Sequence, residues 1–505
     1  MKHLRYLLIL LLPYSGITQE TVPFLNPIRA IVKEKGEYSF KVGDSVTLTS
    51  LTSLNVNGGK LLSFTFNDLK GFQHTFEYKF LKNLEFEQPN SISEKWQQIL
   101  LKNGVYENIV KNSMQYDLRN DLNEDAIYYV KKLKQDNRIF SDPYFEDYLY
   151  TLSTKIHPGI LNDGRPGNIY ILIIKDTNPN AFILPNGTIL ISTGLLSTIQ
   201  SEDELIAILA HEISHFVLDH QVININKSIE RKKRAEFWSG FATVLSAGAD
   251  IYLSSKYSDY IPGMLTTSTA ILSTIISNEV LERLGIKYNQ EQEFEADKVA
   301  AEIIDYIKGD RIGLSAALMR LKQYSIISGD YASLYGSKTH PSLDARIRVI
   351  GKVNNLDNYK QPEYFKKVSI INSYNAWIQL WLYAKHLNAI ELANRNILSD
   401  IGTETDLIVK AVVLRRLNNT KESNEEVIAL LDKAKKMNVI PNKVIPREEA
   451  LTLLRLNRKS EAKTALSSYL SILQEELKTN SCTYANELED EITWTRTMIY
   501  KIDNL

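Results

Sequence analysis

The sequence predicts a multidomain α+β protein, and three observations carry that expectation. Residues 19–90 alternate polar and apolar with a period of two, residues 91–355 place apolar side chains mainly at helical spacing, and residues 365–505 read as helices joined by polar turns. With 505 residues, 44% hydrophobic and 24% charged, the chain can bury more than one core.

The first element is "MKHLRYLLILLLPYSGITQ", which starts basic at Lys2, His3 and Arg5, runs apolar from Leu7 to Leu12, and turns small and polar at Ser15, Gly16 and Thr18. That layout predicts a secretory signal peptide over 1–18, because the apolar run is too short to span a bilayer. Cleavage after Thr18 would leave Gln19 first, with no cysteine there to carry a lipid. The mature chain is therefore expected to be extracytoplasmic, in the periplasm. The formal net charge of −1 gives no global basic surface, so nucleic acid is not an expected partner. Cys482 is the sole cysteine, which excludes an internal disulfide and a cysteine metal cluster.

From 19 to 90, "EYSFKVGDSVTLTSL", "NGGKLLSFTFNDL" and "HTFEYKFLKNLEFE" are rich in β-branched and aromatic residues with Asn-Gly and Gly-Asp turns between, which predicts a β-rich module. Helices follow in "SISEKWQQILLKNG" and "DPYFEDYLYTLSTKI", each with Ser or Asp at its start. "GNIYILIIKD" reads as a buried strand, and "NAFILPNGTILIST" as one or two more around Pro185-Asn186-Gly187. Residues 237–278 predict a semi-apolar helical hairpin: Tyr260 to Asn278 carry no charge, yet eight of them are Ser, Thr or Asn, too polar for a membrane span. It is a candidate lid or peripheral membrane contact. Beyond 365, Arg416-Leu417-Asn418 recurs as Arg455-Leu456-Asn457 within two helix–turn–helix units, which predicts stacked helical hairpins.

The chemistry sits in "LAHEISH", Leu209 to His215. Its helix begins at a capping box, Ser201 with Glu204, and keeps helical period through to about His220. At ~100° per residue, His211 and His215 leave one face about a turn apart and can share one Zn²⁺, with Glu212 beside it to take a proton from water. The competing reading is a pair of surface histidines with a salt-bridging glutamate. His220 does not serve as third ligand, since extrapolation along the helix puts it ~180° from His211, at the surface or near the helix end. Leu218 and Gln221 stand where a metzincin would place its Gly and His. The best supply of a ligand is "NQEQEFEADKVAAEI": Glu293 and Asp297 share a helix face, Glu295 points roughly the opposite way, and one shared-face carboxylate could bind metal while the other steadies a ligating histidine.

"HEISH" followed 78 residues on by "EFEAD", preceded by "NAFILPNGTILISTGLL" and followed by "THPSLDARI", resembles the HtpX, OMA-type and CAAX-prenyl-protease family of gluzincin zinc metallopeptidases. The resemblance covers roughly Asp142 to Ile350. It implies a mainly helical zincin-like peptidase domain with a small sheet over 91–355, one Zn²⁺ held by His211, His215 and Glu293, Glu212 as general base, and Asp297 behind a zinc histidine. It also implies that Asn180, Ala181 and Phe182 border the substrate, and that His340 lies on a loop approaching the zinc, where it would close the open coordination position or steady the oxyanion. Arg346 reads as a structural salt bridge, with a second anion stabiliser as the alternative. The signal peptide and a TPR-like tail over 365–505 are similar to those of periplasmic, TPR-bearing members, which implies a zinc endopeptidase of envelope protein quality control, acting on polypeptides, with a protein partner on the repeats. The alternative is a repeat scaffold or chaperone-like assembly factor with a latent or gated site.

Overall fold

The computed structural model describes residues 19–34, 40–56, 59–105, 114–159, 161, 169–225, 284, 286–328, 341–437, 442–479 and 485–504. The expected signal peptide, the hairpin over 237–278 and His340 lie outside them. Among the described residues, no helix is long and apolar enough to cross a membrane.

The alternating segment forms an antiparallel sheet of β1 (Gln19–Val32), β2 (Ser45–Val56), β3 (Gly59–Asp68), β4 (Gln73–Glu77) and β5 (Leu84–Phe86), in the order β4-β3-β2-β1-β5. Period two puts Ile28, Ala30 and Val32 on one face, where all three are fully buried, and Val46, Leu48, Phe64 and Phe66 join them. Phe66 and Phe76 stack across adjacent strands with centroids 4.3 Å apart. This face does not end in solvent. It continues through Trp96, Ile99 and Leu100 of α1 (Ile92–Lys102) into the helices beyond, as one unbroken apolar core. The chain changes secondary structure near residue 90 without changing core.

After α2 (Met114–Gln135), β6 (Ile139–Phe140) and α3 (Pro143–Thr154) comes a second sheet. It contains β7 (Tyr170–Ile174), β8 (Ala181–Ile183) and β9 (Thr188–Ser192) in the order β6-β7-β9-β8, with β7 parallel and β8 antiparallel to β9. Strand β8 is an edge. The short α4 (Thr193–Thr198) leads into α5 (Glu202–Val217), which carries the His-Glu-x-x-His segment. The Ser201 Oγ accepts the Glu204 N–H at 3.2 Å, while the Glu204 carboxylate accepts from Gln200 N at 2.6 Å, so the helix start is closed in both directions. From Glu204 to Val217 every residue of α5 is buried. It packs against α7 (Gln290–Tyr306) and α8 (Ile312–Ser328), and α9 (Leu343–Ile350) lies across those two; α6 (His220–Asn224) follows α5 directly.

The C-terminal part is helical: α10 (Pro362–Lys367), α11 (Ser369–Trp381), α12 (His386–Leu398), α13 (Glu404–Leu417), α14 (Lys421–Met437), α15 (Val444–Arg455), α16 (Lys459–Thr479) and α17 (Ala485–Asp503). From α11 on, each packs on the next, with apolar clusters separate from the first core. The recurring Arg-Leu-Asn has a structural counterpart, because Arg455 reaches back to the Asn418 carbonyl at 3.0 Å. Helix α11 grips α4 through Asn375 Nδ2, which donates to Thr193 O and Ser197 Oγ, both at 2.7 Å.

Helices α5 and α8 approach so closely that a Cβ built on Gly313 would stand 2.7 Å from the Asp203 carbonyl oxygen. We expect Gly313→Ala to push α8 off α5 and cost about 1–3 kcal/mol, the usual range for overpacking. The urea midpoint of unfolding reads this, and an unchanged midpoint would show that the helices part without penalty.

Candidate metal centre

Helix α5 brings His211 and His215 to one face and buries them, with 7% and 0% exposure, which removes the surface-histidine reading. Their Nε2 atoms lie 3.1 Å apart. The capped N-terminus of α7, where Asn289 and Gln292 form a capping box, holds Glu293 in its first turn with a carboxylate oxygen 3.5 Å from His211 Nε2. One donor atom from each of His211, His215 and Glu293 falls within 4.8 Å of the others. Two nitrogens at ~2.0 Å from a tetrahedral Zn²⁺ would stand ~3.3 Å apart, close to the spacing found.

Each histidine is held from behind. One turn beyond Glu293, Asp297 accepts from His211 Nδ1 at 2.9 Å, so the expected shared face of these two carboxylates is what the structure has. Arg346 of α9 clasps Asp297 with two bonds, at 2.6 and 2.8 Å, and sets Nη1 3.1 Å from Glu293. His220 differs from the expectation: it is 1% exposed, with Nδ1 2.8 Å from His215 Nδ1. Extrapolation along the helix failed because α5 ends at Val217 and Asp219 turns left-handed, φ 62°, starting α6 in a new direction. Glu295, two residues on from Glu293, lies 3.3 Å from His220 Nε2. Tyr288 covers His215 flat, with centroids 3.6 Å apart and 7° between planes, and its hydroxyl accepts from Gln221 at 3.0 Å. Tyr288 and Gln221 were missed in the sequence. Their only signal there is nearness to the ligands along the chain.

The electrostatics favour a cation. Burial lifts the Glu212 carboxyl to about 7. Burial would also raise Glu293 and Asp297, but Arg346 and His211 outweigh it and hold both below the usual carboxylate range. Burial and Arg346 act to lower His211, yet Asp297 and Glu293 lift it to about 9. His215 is driven well below its ordinary value by burial and by neighbouring His211, so it is neutral, as a metal ligand must be. Among the described residues these three carboxyl groups face Arg346 and a protonated His211, whose proton a bound cation would displace. The donor set and its charge both fit a divalent metal.

The centre opens into a cleft of roughly 290 Å³. Asn180, Ala181 and Phe182 line it, with Glu212 and Arg346. Leu195, Ile208, Leu314, Ala317, Leu318 and Leu321 supply an aliphatic wall. Glu212 accepts the Ile183 N–H at 3.1 Å, and Gln221 donates to the Ile183 carbonyl at 3.3 Å. These are outward-facing groups of edge strand β8, and by period two those of Ala181 face the same way.

Comparison with known proteins agrees with this geometry. Residues 154–354 match the sequence profile of peptidase family M48. The chain is 22% identical over 348 residues to the beta-barrel assembly-enhancing protease of Yersinia pestis, covering 60% of this chain and 67% of that one. It is 28% identical over 116 residues to the putative beta-barrel assembly-enhancing protease of Vibrio cholerae, covering 22% and 23%. To the mitochondrial metalloendopeptidase OMA1 of Schizosaccharomyces pombe it is 27% identical over 179 residues, covering 35% and 44%. The matches thus span from about a quarter to two thirds of these relatives' lengths. The stretch that matches peptidase family M48 contains α5, the start of α7 and α9, the three elements that assemble the centre.

Proposed function

We propose that the protein is a zinc-dependent endopeptidase that cuts extended polypeptides outside the cytoplasm, in protein quality control of the cell envelope. The observation that carries this reading is the convergence of His211, His215 and Glu293 beside the Glu212 carboxyl, in a cleft bordered by an edge strand. The names of the beta-barrel assembly-enhancing relatives and the layout of residues 1–18 support the envelope assignment. The helices over 365–505 are proposed as a TPR-like surface for a protein partner, beside a peptidase domain over 91–355 and the β-rich module over 19–90.

His211, His215 and Glu293 would hold the metal, which when bound supplies Lewis acidity for the scissile carbonyl and acidifies the attacking water. Glu212 takes a proton from that water and passes it to the leaving amine. Its raised pKa suits both steps, since it must be a base first and an acid after. The hydrogen bond from Ile183 N–H aims the carboxyl into the cleft. The main-chain groups of Ala181 offer a short ladder to an extended substrate, and the aliphatic wall takes an apolar side chain. Arg346 is already bound to Asp297 and Glu293, so its part is to position them.

Purified protein is expected to carry one zinc per chain and to cleave casein. A chelator should abolish cleavage and added zinc restore it. Glu212→Gln should keep the zinc while losing roughly 10²–10⁴-fold in rate, the contribution of a positioned general base. Zinc without cleavage in the wild type would favour the scaffold reading; no zinc would sink both the metal and the activity.

Replacing Leu318 by Trp should fill the aliphatic wall. Cleavage sites in a peptide library are then expected to move from large apolar residues toward small ones, and an unchanged profile would show that the wall does not meet substrate.

A further inference from the structure

We infer that His220, backed by Glu295, is the positioning residue for His215: it fixes the tautomer in which His215 turns Nε2 toward the metal. This rests on the zinc reading above. His215 Nε2 faces His211 Nε2 and Glu293, so a neutral His215 that binds metal there must carry its proton on Nδ1. Among the described residues that proton has one close acceptor, His220 Nδ1 at 2.8 Å. Accepting at Nδ1, a neutral His220 carries its own proton on Nε2, which faces the Glu295 carboxylate at 3.3 Å. Every donor in the series points away from the metal, and the series ends on a carboxylate that is 42% exposed. No other tautomer of His215 leaves its Nε2 open to a metal.

The surroundings hold the series in place. Tyr288 lies flat on His215 and restricts rotation of its ring. The left-handed turn at Asp219 swings His220 back over the end of α5, and the Asp219 carboxylate is anchored by a buried ion pair with Arg119 of α2. The two ligating histidines therefore have unlike supports: Asp297 meets His211 directly, whereas a second imidazole stands between His215 and its carboxylate. Outer partners of this kind commonly contribute 10–100-fold to metal affinity.

The test is zinc affinity, measured on the full chain by competition with a chromophoric chelator. His220→Ala should weaken zinc about 10–100-fold. His220→Asn, whose amide oxygen can take the place of Nδ1 as acceptor, should recover most of that loss, which repacking alone would not do. Glu295→Gln should weaken binding several-fold and leaves both buried rings intact, so it carries the test if His220→Ala does not fold. Unchanged affinity in His220→Ala, or in Glu295→Gln where the first does not fold, would overturn the assignment. A wild type that binds no zinc would overturn the metal reading instead, a distinguishable result.

Discussion

Two imidazoles can offer their Nε2 atoms to a common point only if each Nδ1 proton has somewhere else to go. That constraint governs most of what surrounds α5. Helix α7 brings both Glu293 and Asp297, one turn apart, so that a candidate ligand and a support arrive on the same rigid element. The left-handed turn at Asp219 brings His220. The burial of α5 on all sides then keeps water from competing for those hydrogen bonds.

The same burial sets the charge problem. Carboxylates in a medium of low polarity repel one another strongly, and three of them gather here around one guanidinium. Arg346 offsets part of that by its paired bonds to Asp297 and its contact with Glu293. Glu212, farther from the arginine's grip, is left with a raised pKa, and this is the carboxyl best placed to exchange protons. All three are buried, and the division of labour among them follows from how closely Arg346 holds each: Asp297 and Glu293 are in direct contact with it, and burial prevails at Glu212.

Much of the fold and of the candidate metal centre's geometry was legible because it depends on local periodicity. The alternation before residue 90 became five strands, the spacing in "LAHEISH" became one helix face, and the four-residue step from Glu293 to Asp297 kept ligand and support together. His220 was not legible for a related reason. A 3.6-residue period says where residues lie only while the helix lasts, and one left-handed residue at Asp219 ends its authority. Tyr288 and Gln221 are recruited by tertiary packing, which no local pattern encodes. The continuity of the core from the β-sheet through Trp96 was also hidden, since composition marks a change of secondary structure and not a change of core.

The engagement of Ile183 reaches beyond catalysis. An unprotected edge strand is a template on which another chain can add, and proteins blunt such edges to stay monodisperse. In β8 both outward groups of Ile183 are taken by side chains, Glu212 from one helix and Gln221 from the next. What is left of the edge is too short to nucleate a growing sheet between copies. The proposed general base and the guard of this edge are thus one group, and the cleft proposed to take a threaded chain refuses a neighbouring sheet.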